Sequence, residues 1–268
     1  MFTIIVAIAC VVGLEAALEL SGAASRGWAI FFGVVLMLAL QMTAGFLVRK
    51  KVNRVNGEIQ NMMAQMQARL TRKVEAFQRR PSGNIKLIQQ ELQDEQYSAI
   101  RRSLVKLNEL NPVTKWSPML SKQLDTMRMV MYFQLREFDK VDKLMKNSMM
   151  LTAQAIAIKL TRMFKLEDPK LDRFFAKKSK RLKGDDAALI YSLYAWIKLK
   201  QDDPKAALDA LNASIKKSDS PVLLANRDRI ANGKLKQFSN AQLGDAWYGL
   251  YLEEPKIRQQ RVAERRFQ

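Results

Sequence analysis

Histidine is absent from this 268-residue chain, cysteine occurs once, and glycine and proline are sparse at 11 and 7 residues. Each shortage excludes something. Without histidine the commonest general base is missing, together with the Ser-His-Asp and Cys-His arrangements and the usual zinc and haem ligand sets. The lone Cys10 supports neither a disulfide framework nor a cysteine-cluster metal site. The glycines form no G-x-G-x-x-G or Walker pattern, so no phosphate-cradling loop is evident. Neither a cofactor nor an enzymatic activity is expected.

Acidic residues are also in the minority. Lys and Arg number 45 against 26 Asp and Glu, a formal net charge of +19, while 48% of the residues are hydrophobic. That apolar fraction is too high for a disordered polycation, so a packed core or a membrane segment must hold it. The charge is uneven. Residues 1–48 contain only Glu15, Glu19 and Arg26, a net of −1, so residues 49–268 carry +20.

Two apolar stretches, about 2–20 and 28–48, make up the head. The second has no charge over about twenty residues, which at ~1.5 Å rise per residue spans the ~30 Å hydrocarbon layer of a bilayer. The first is interrupted at Glu15. It reads either as the other arm of a transmembrane hairpin or as a cleaved or re-entrant segment; the lack of a preceding Lys or Arg favours the hairpin. Arg49, Lys50, Lys51 and Arg54 follow the second stretch directly, against Arg26 alone in the loop. The positive-inside bias then places both termini in the cytoplasm, as in a bacterial inner-membrane protein, with anionic headgroups beside 49–54. Glu15 and Glu19 lie one helical turn apart and are candidate intramembrane polar residues. Headgroup water at the outer end of the helix is the blander reading for both. Gln41 and Thr43 are candidates for hydrogen bonds across the hairpin, and Gly33 and Gly45 for close helix contact.

Beyond the membrane, Val52, Val55, Ile59, Met62, Met66, Leu70, Val74 and Phe77 recur every three or four residues. This stripe predicts one amphipathic stalk helix over 49–80, stopped at Arg80-Pro81-Ser82-Gly83, with a net charge of +7. The spacing departs from a strict heptad, which favours packing on the chain's own body over a coiled-coil dimer. Oligomeric state is left open.

From Asn84 onward the pattern predicts an all-α fold of short helices, with breaks at Asn111-Pro112, Ser117-Pro118, Asp168-Pro169, Gly184-Asp185, Asp203-Pro204, Ser220-Pro221, Ser239-Asn240 and Glu254-Pro255. The segments Glu167-Asp168-Pro169-Lys170 and Asp202-Asp203-Pro204-Lys205 are 35 residues apart, and Glu253-Glu254-Pro255-Lys256 is a third copy opening a C-terminal helix. Glu137-Phe138-Asp139-Lys140 falls 31 residues before the first, and Gln96-Tyr97 another 41 before that. Residues 200–211 are similar to the turn and second helix of a tetratricopeptide repeat, and Glu95-Gln96-Tyr97 through Leu104, Leu110, Asn111 and Pro112 resembles another. In that resemblance Ala207 takes the small packing position, Leu211 and Leu104 the large one, and Tyr97 and Phe138 the aromatic one. Ala195 and Tyr132 fit the first helices, whose Trp, Leu-Gly and Tyr positions are otherwise mostly missing. The resemblance covers residues 84–255 and implies a protein-binding scaffold that presents a groove to a partner and does no chemistry itself. From packing alone, stacked hairpins leave an extended surface suited to recognition.

Lys177, Lys178, Lys180, Arg181 and Lys183 form the densest run of charge, after Phe174-Phe175. Three readings compete: a solvated helix end favoured by the dipole, contact with anionic lipid, and contact with nucleic-acid phosphate, in decreasing order of preference. The basic stretch 256–268 reads as a terminal helix or tail. Asp185-Asp186 and Asp202-Asp203 read as caps at helix starts. Met127, Met129, Met131, Met145, Met149 and Met150 read as adaptable core in preference to a binding groove. The expectation is a membrane-anchored, cytoplasm-facing helical-repeat adaptor. The alternatives are a binder of anionic lipid or nucleic acid, and a structural subunit of a larger membrane complex.

Overall fold

The computed structural model describes residues 2–21, 26–79 and 85–255. Every regular element among them is helical. The chain divides into two compact units, Met1–Met149 and Met150–Gln268. The repeat array expected over 84–255 is therefore shared between two bodies, and the basic tail after Pro255 lies outside the described residues.

In the first unit α1 (Phe2–Ser21) packs along α2 (Arg26–Arg79), a single 54-residue helix. Among the described residues α2 is the one helix long and apolar enough to cross a membrane, and only 6% of its apolar window is buried. The apolar stretch described in α1, Ile8–Ala17, is shorter; two membrane-length helices were expected, and the described residues show one. Phe31, Leu38, Met42 and Phe46 point away from the protein, Phe46 with 67% of its surface exposed. Trp28, Phe31 and Phe32 cluster at the start of α2 with ring centroids 5.9 Å apart.

Past its charged collar the same helix enters a core. Val55 (0% exposed) and Ile59 are buried against Ile100, Leu104 and Leu107 of α3 (Ile85–Leu107), with Val113 of α4 (Asn111–Thr114) and Leu120 and Leu124 of α5 (Pro118–Gln134) completing the cluster. Further along α2 the packing thins and ion pairs replace it: Lys73 Nζ lies 2.7 Å from Glu91 and 2.9 Å from Glu95. Helix α3 has no turn at Gln96-Tyr97, where the resemblance implied one; residues 85–107 contain no glycine or proline, and nothing stops the helix. The unit ends with α6 (Phe138–Met145) packed against α5. Met129 and Met131 are buried, as expected of core methionines.

In the second unit α7 (Ala153–Lys165), α8 (Leu171–Ser179), α10 (Pro204–Ile215), α11 (Pro221–Ala231) and the short α12 (Asp245–Tyr248) all pack on α9 (Gly184–Lys200). Eleven consecutive or nearly consecutive residues of α9, from Ala187 to Lys198, are buried. This explains why its sequence is apolar on all sides. Phe175 stacks on Tyr194 at 3.6 Å, and Trp247 meets Trp196 edge-on at 5.7 Å.

One turn recurs in both units. Arg136, Glu167, Asp202 and Gly233 all have positive φ, between 52° and 69°, at spacings of 31, 35 and 31 residues. At each, the following amide donates back five residues: Glu137 to Tyr132, Asp168 to Met163, Asp203 to Lys198 and Lys234 to Arg229, at 2.7–3.0 Å. This is the Schellman closure of a helix, for which glycine at the left-handed position is preferred. Three of the four sites carry a side chain there. Replacing Glu167 by Gly should therefore raise stability by about 0.5–1 kcal/mol, and Gly233→Ala should lower it by about 1 kcal/mol. Thermal unfolding of the two variants in detergent checks this; equal shifts of one sign would refute the turn assignment.

Two helix starts have the capping chemistry their sequence implies. Asp203 accepts from the Ala206 amide at 2.9 Å with Pro204 in the first turn, and Ser117 caps α5. Asp185 and Asp186 are different: they sit inside the first turn of α9 without capping it, and act on its dipole alone.

Candidate functional site

Two basic regions, one in each unit, and one intrahelical carboxylate are the features with chemistry to offer. Arg49, Lys50, Lys51 and Arg54 continue α2 beyond its apolar stretch. Arg49, Lys50 and Arg54 are exposed, and Glu58 lies 3.8 Å from Arg54, a solvent-screened pair one helical turn apart. Lys51 is half-buried. It lines an apolar groove of about 330 Å³ between α1, α2 and the turn after α4, with Val6, Leu40, Leu47, Val113 and Trp116.

Glu15 lies where α1 crosses α2 at Gly33, so closely that a methyl group on Gly33 would sit 3.0 Å from Val11 Cγ1 and 3.2 Å from Glu15 Oε1. Gly33 is thus a contact glycine, whereas Gly45 has open space around it. The Glu19 side chain lies outside the described residues. Gln41 is half-buried, and Thr43 donates to Leu40 O of its own helix at 3.0 Å in place of the expected bond across the hairpin.

In the second unit Lys177 and Lys178 end α8, where the dipole favours cations, Lys180 and Arg181 occupy the turn, and Lys183 precedes α9. Lys178 Nζ donates to Met150 O at 2.9 Å; burial, then Lys177 and Arg181, hold its ammonium below the usual lysine range. Lys159 of α7 is lowered by burial and then by Lys178, and its ammonium sits 5.1 Å over the Phe174 ring. The α10–α11 turn joins this edge: Gly184 N donates to Lys217 O at 2.9 Å and Lys217 Nζ to Lys180 O at 2.7 Å. Lys159 and Lys217 thereby extend a cluster that chain order alone made look like one run. Among the described residues no carboxylate pairs with Lys177, Lys180, Arg181 or Lys183. The arrangement attracts anions.

Sequence reading missed two polar ties because their partners are distant in the chain. Lys198, buried in α9, meets Asp172 of α8 at 2.7 Å, and Tyr194 donates to the same carboxylate at 3.0 Å. Glu253 accepts from Trp196 Nε1 at 2.7 Å and Trp247 Nε1 at 3.0 Å and so clamps two indoles, while the helix expected to open after Pro255 lies outside the described residues. Burial, and then the Asp172 bond, push the Tyr194 hydroxyl well above its ordinary 10.0. A phenol kept protonated and a lysine neutralised by a carboxylate form a structural tie rather than an acid–base pair. The sign of its pH dependence follows. A raised folded-state pKa stabilises fully below pH 10 and is lost as pH climbs above it. Tyr194→Phe should cost about 1 kcal/mol at neutral pH, and the gap to the parent protein should close above pH 10 in unfolding titrations; a constant gap would refute the tie.

Compared with protein-family models, curated proteins and solved structures, the chain matches none.

Proposed function

We propose that the chain is a membrane-anchored, helical-repeat adaptor that faces the cytoplasm and binds protein partners beside the bilayer. The observation that carries this reading is α2: its first half is apolar and uncovered, and its second half is built into a packed helical body. A helix that exposes Phe46, Met42 and Leu38 to water would be an aggregation liability, whereas in hydrocarbon those side chains are matched to their surroundings. The aromatic trio at residues 28–32 suits one membrane interface and the collar 49–54 the other. In this reading α1 is the second arm of a hairpin, both termini are cytoplasmic, and the membrane is a bacterial inner membrane.

The recurring Schellman turn supports the tetratricopeptide-like interpretation, because a fixed turn every 31–35 residues is what a stack of helix hairpins requires. Partner recognition would use the surface of those hairpins. Affinity purification of the full chain in mild detergent should recover a defined protein that stays bound as salt is raised. Salt-sensitive capture of anionic lipid or nucleic acid alone would instead favour the second reading, in which the unpaired cluster around residues 177–183 is the contact. A third reading, a subunit of a larger membrane complex, draws on Glu15 packed at the helix crossing.

A further inference from the structure

The groove beside Lys51 has a composition and a position that together name a class of ligand. Its wall is aliphatic and aromatic, from Val6 of α1, Leu40 and Leu47 of α2, and Val113 and Trp116 of the body. Its cation, Lys51, is half-buried, and among the described residues no carboxylate pairs with it. A site apolar along its length and positive at one point fits an anionic amphiphile. The groove also sits where the uncharged run of α2 gives way to Arg49-Lys50-Lys51, which is the acyl–headgroup boundary if residues 28–48 span the bilayer. Its volume, about 330 Å³, lies at the small end of the ~300–1,000 Å³ typical of ligand sites.

We propose that this groove binds one acyl chain of an anionic phospholipid, with the lipid phosphate held by Lys51 and the chain lying against Trp116 and Val113. The proposal rests on the membrane-anchored reading. Bound lipid would fix the body to the bilayer at a defined height, since Val113 and Trp116 belong to the body and Leu40 and Leu47 to the apolar part of α2.

The test uses the full chain in mild detergent, titrated with phosphatidylglycerol or phosphatidylcholine and read by native mass spectrometry. One phosphatidylglycerol per chain should bind about fivefold more tightly than phosphatidylcholine, and Lys51→Gln should remove most of that preference. Lys50→Gln, an equal loss of charge at an exposed position, should retain it, and Ala44→Phe, which fills the groove, should abolish binding of both lipids. Equal effects of Lys51→Gln and Lys50→Gln, or lipid binding unaffected by Ala44→Phe, would overturn the site, as would a co-purified protein filling it. Release of the chain from native membranes by alkaline carbonate would fail the anchored reading itself, which separates the two outcomes.

Discussion

Trp247→Ala should cost about 3–5 kcal/mol, a large part of the stability of an ordinary domain. Trp247 is fully buried although its helix is only four residues long. It packs edge-on against Trp196 of the central helix, and both indole N–H groups reach the Glu253 carboxylate. Truncation removes the burial of the largest apolar side chain in the unit, opens a cavity against α9, and leaves Glu253 one donor short. The same loss should loosen the segment after α11, which is also held by the buried Asn226–Asn240 pair, bonded at 2.9 Å and continued to Ser192 O at 3.1 Å. Limited proteolysis of the variant should therefore cut first between residues 233 and 255, before α9 is lost. Glu253→Gln, which keeps one acceptor, should cost only about 1–2 kcal/mol. A near-neutral Trp247→Ala would mean that this segment does not stabilise the unit.

The second large effect is expected in the stalk. Val55→Asp places a carboxylate at a position with no exposed surface, among the apolar side chains of Ile100, Leu104 and Leu107. Burying an uncompensated charge costs several kcal/mol, and the simplest escape is for α2 to separate from α3 and expose the site. Hydrogen exchange along residues 52–66 and 97–110 should then accelerate together. Val74→Asp, the same change where the side chain is 39% exposed, should alter stability by about 0.5 kcal/mol or less. Similar effects at both positions would contradict the packing of the stalk onto its own body.

These two cases also show which parts of the molecule could be read from the residues. The stalk was legible because burial on one face of a helix leaves a three-to-four-residue stripe, and Val55 and Ile59 fall on that stripe. Its continuity with the apolar stretch was legible because no glycine or proline intervenes between Val48 and Val52. Helix α9 offered no such stripe, since a helix packed on all sides has no polar face to set the phase. Asp203-Pro204 marked a helix start through local chemistry that needs no tertiary partner. Glu253 shows what local chemistry leaves out: two residues before Pro255, it accepts bonds from indoles, one of them 57 residues away. Gln96-Tyr97 misled in the opposite direction, an apparent repeat position set inside an unbroken helix.

The basic regions followed the same division. Lys177 to Lys183 could be found as a run, but Lys159 and Lys217 joined them only through α7 and the α10–α11 turn. At the collar, sequence gave four equivalent cations. Folding distinguishes Lys51, because Val113 and Trp116 approach α2 on its side. Local patterns thus identified charge and periodicity, while long-range packing decided which charges share a surface.

The central claim is that α2 crosses the membrane and the helical body stands on the side of its basic collar. Cysteine-scanning accessibility in intact cells and in inverted vesicles, using single cysteines in a Cys10→Ser background, tests it most directly. Cysteines introduced at Ser220 or Asp245, in the second unit, should react with a membrane-impermeant maleimide only in inverted vesicles or after lysis, while positions 35–45 resist labelling in both. Labelling of the body in intact cells, or free labelling of positions 35–45 before detergent is added, would contradict the account.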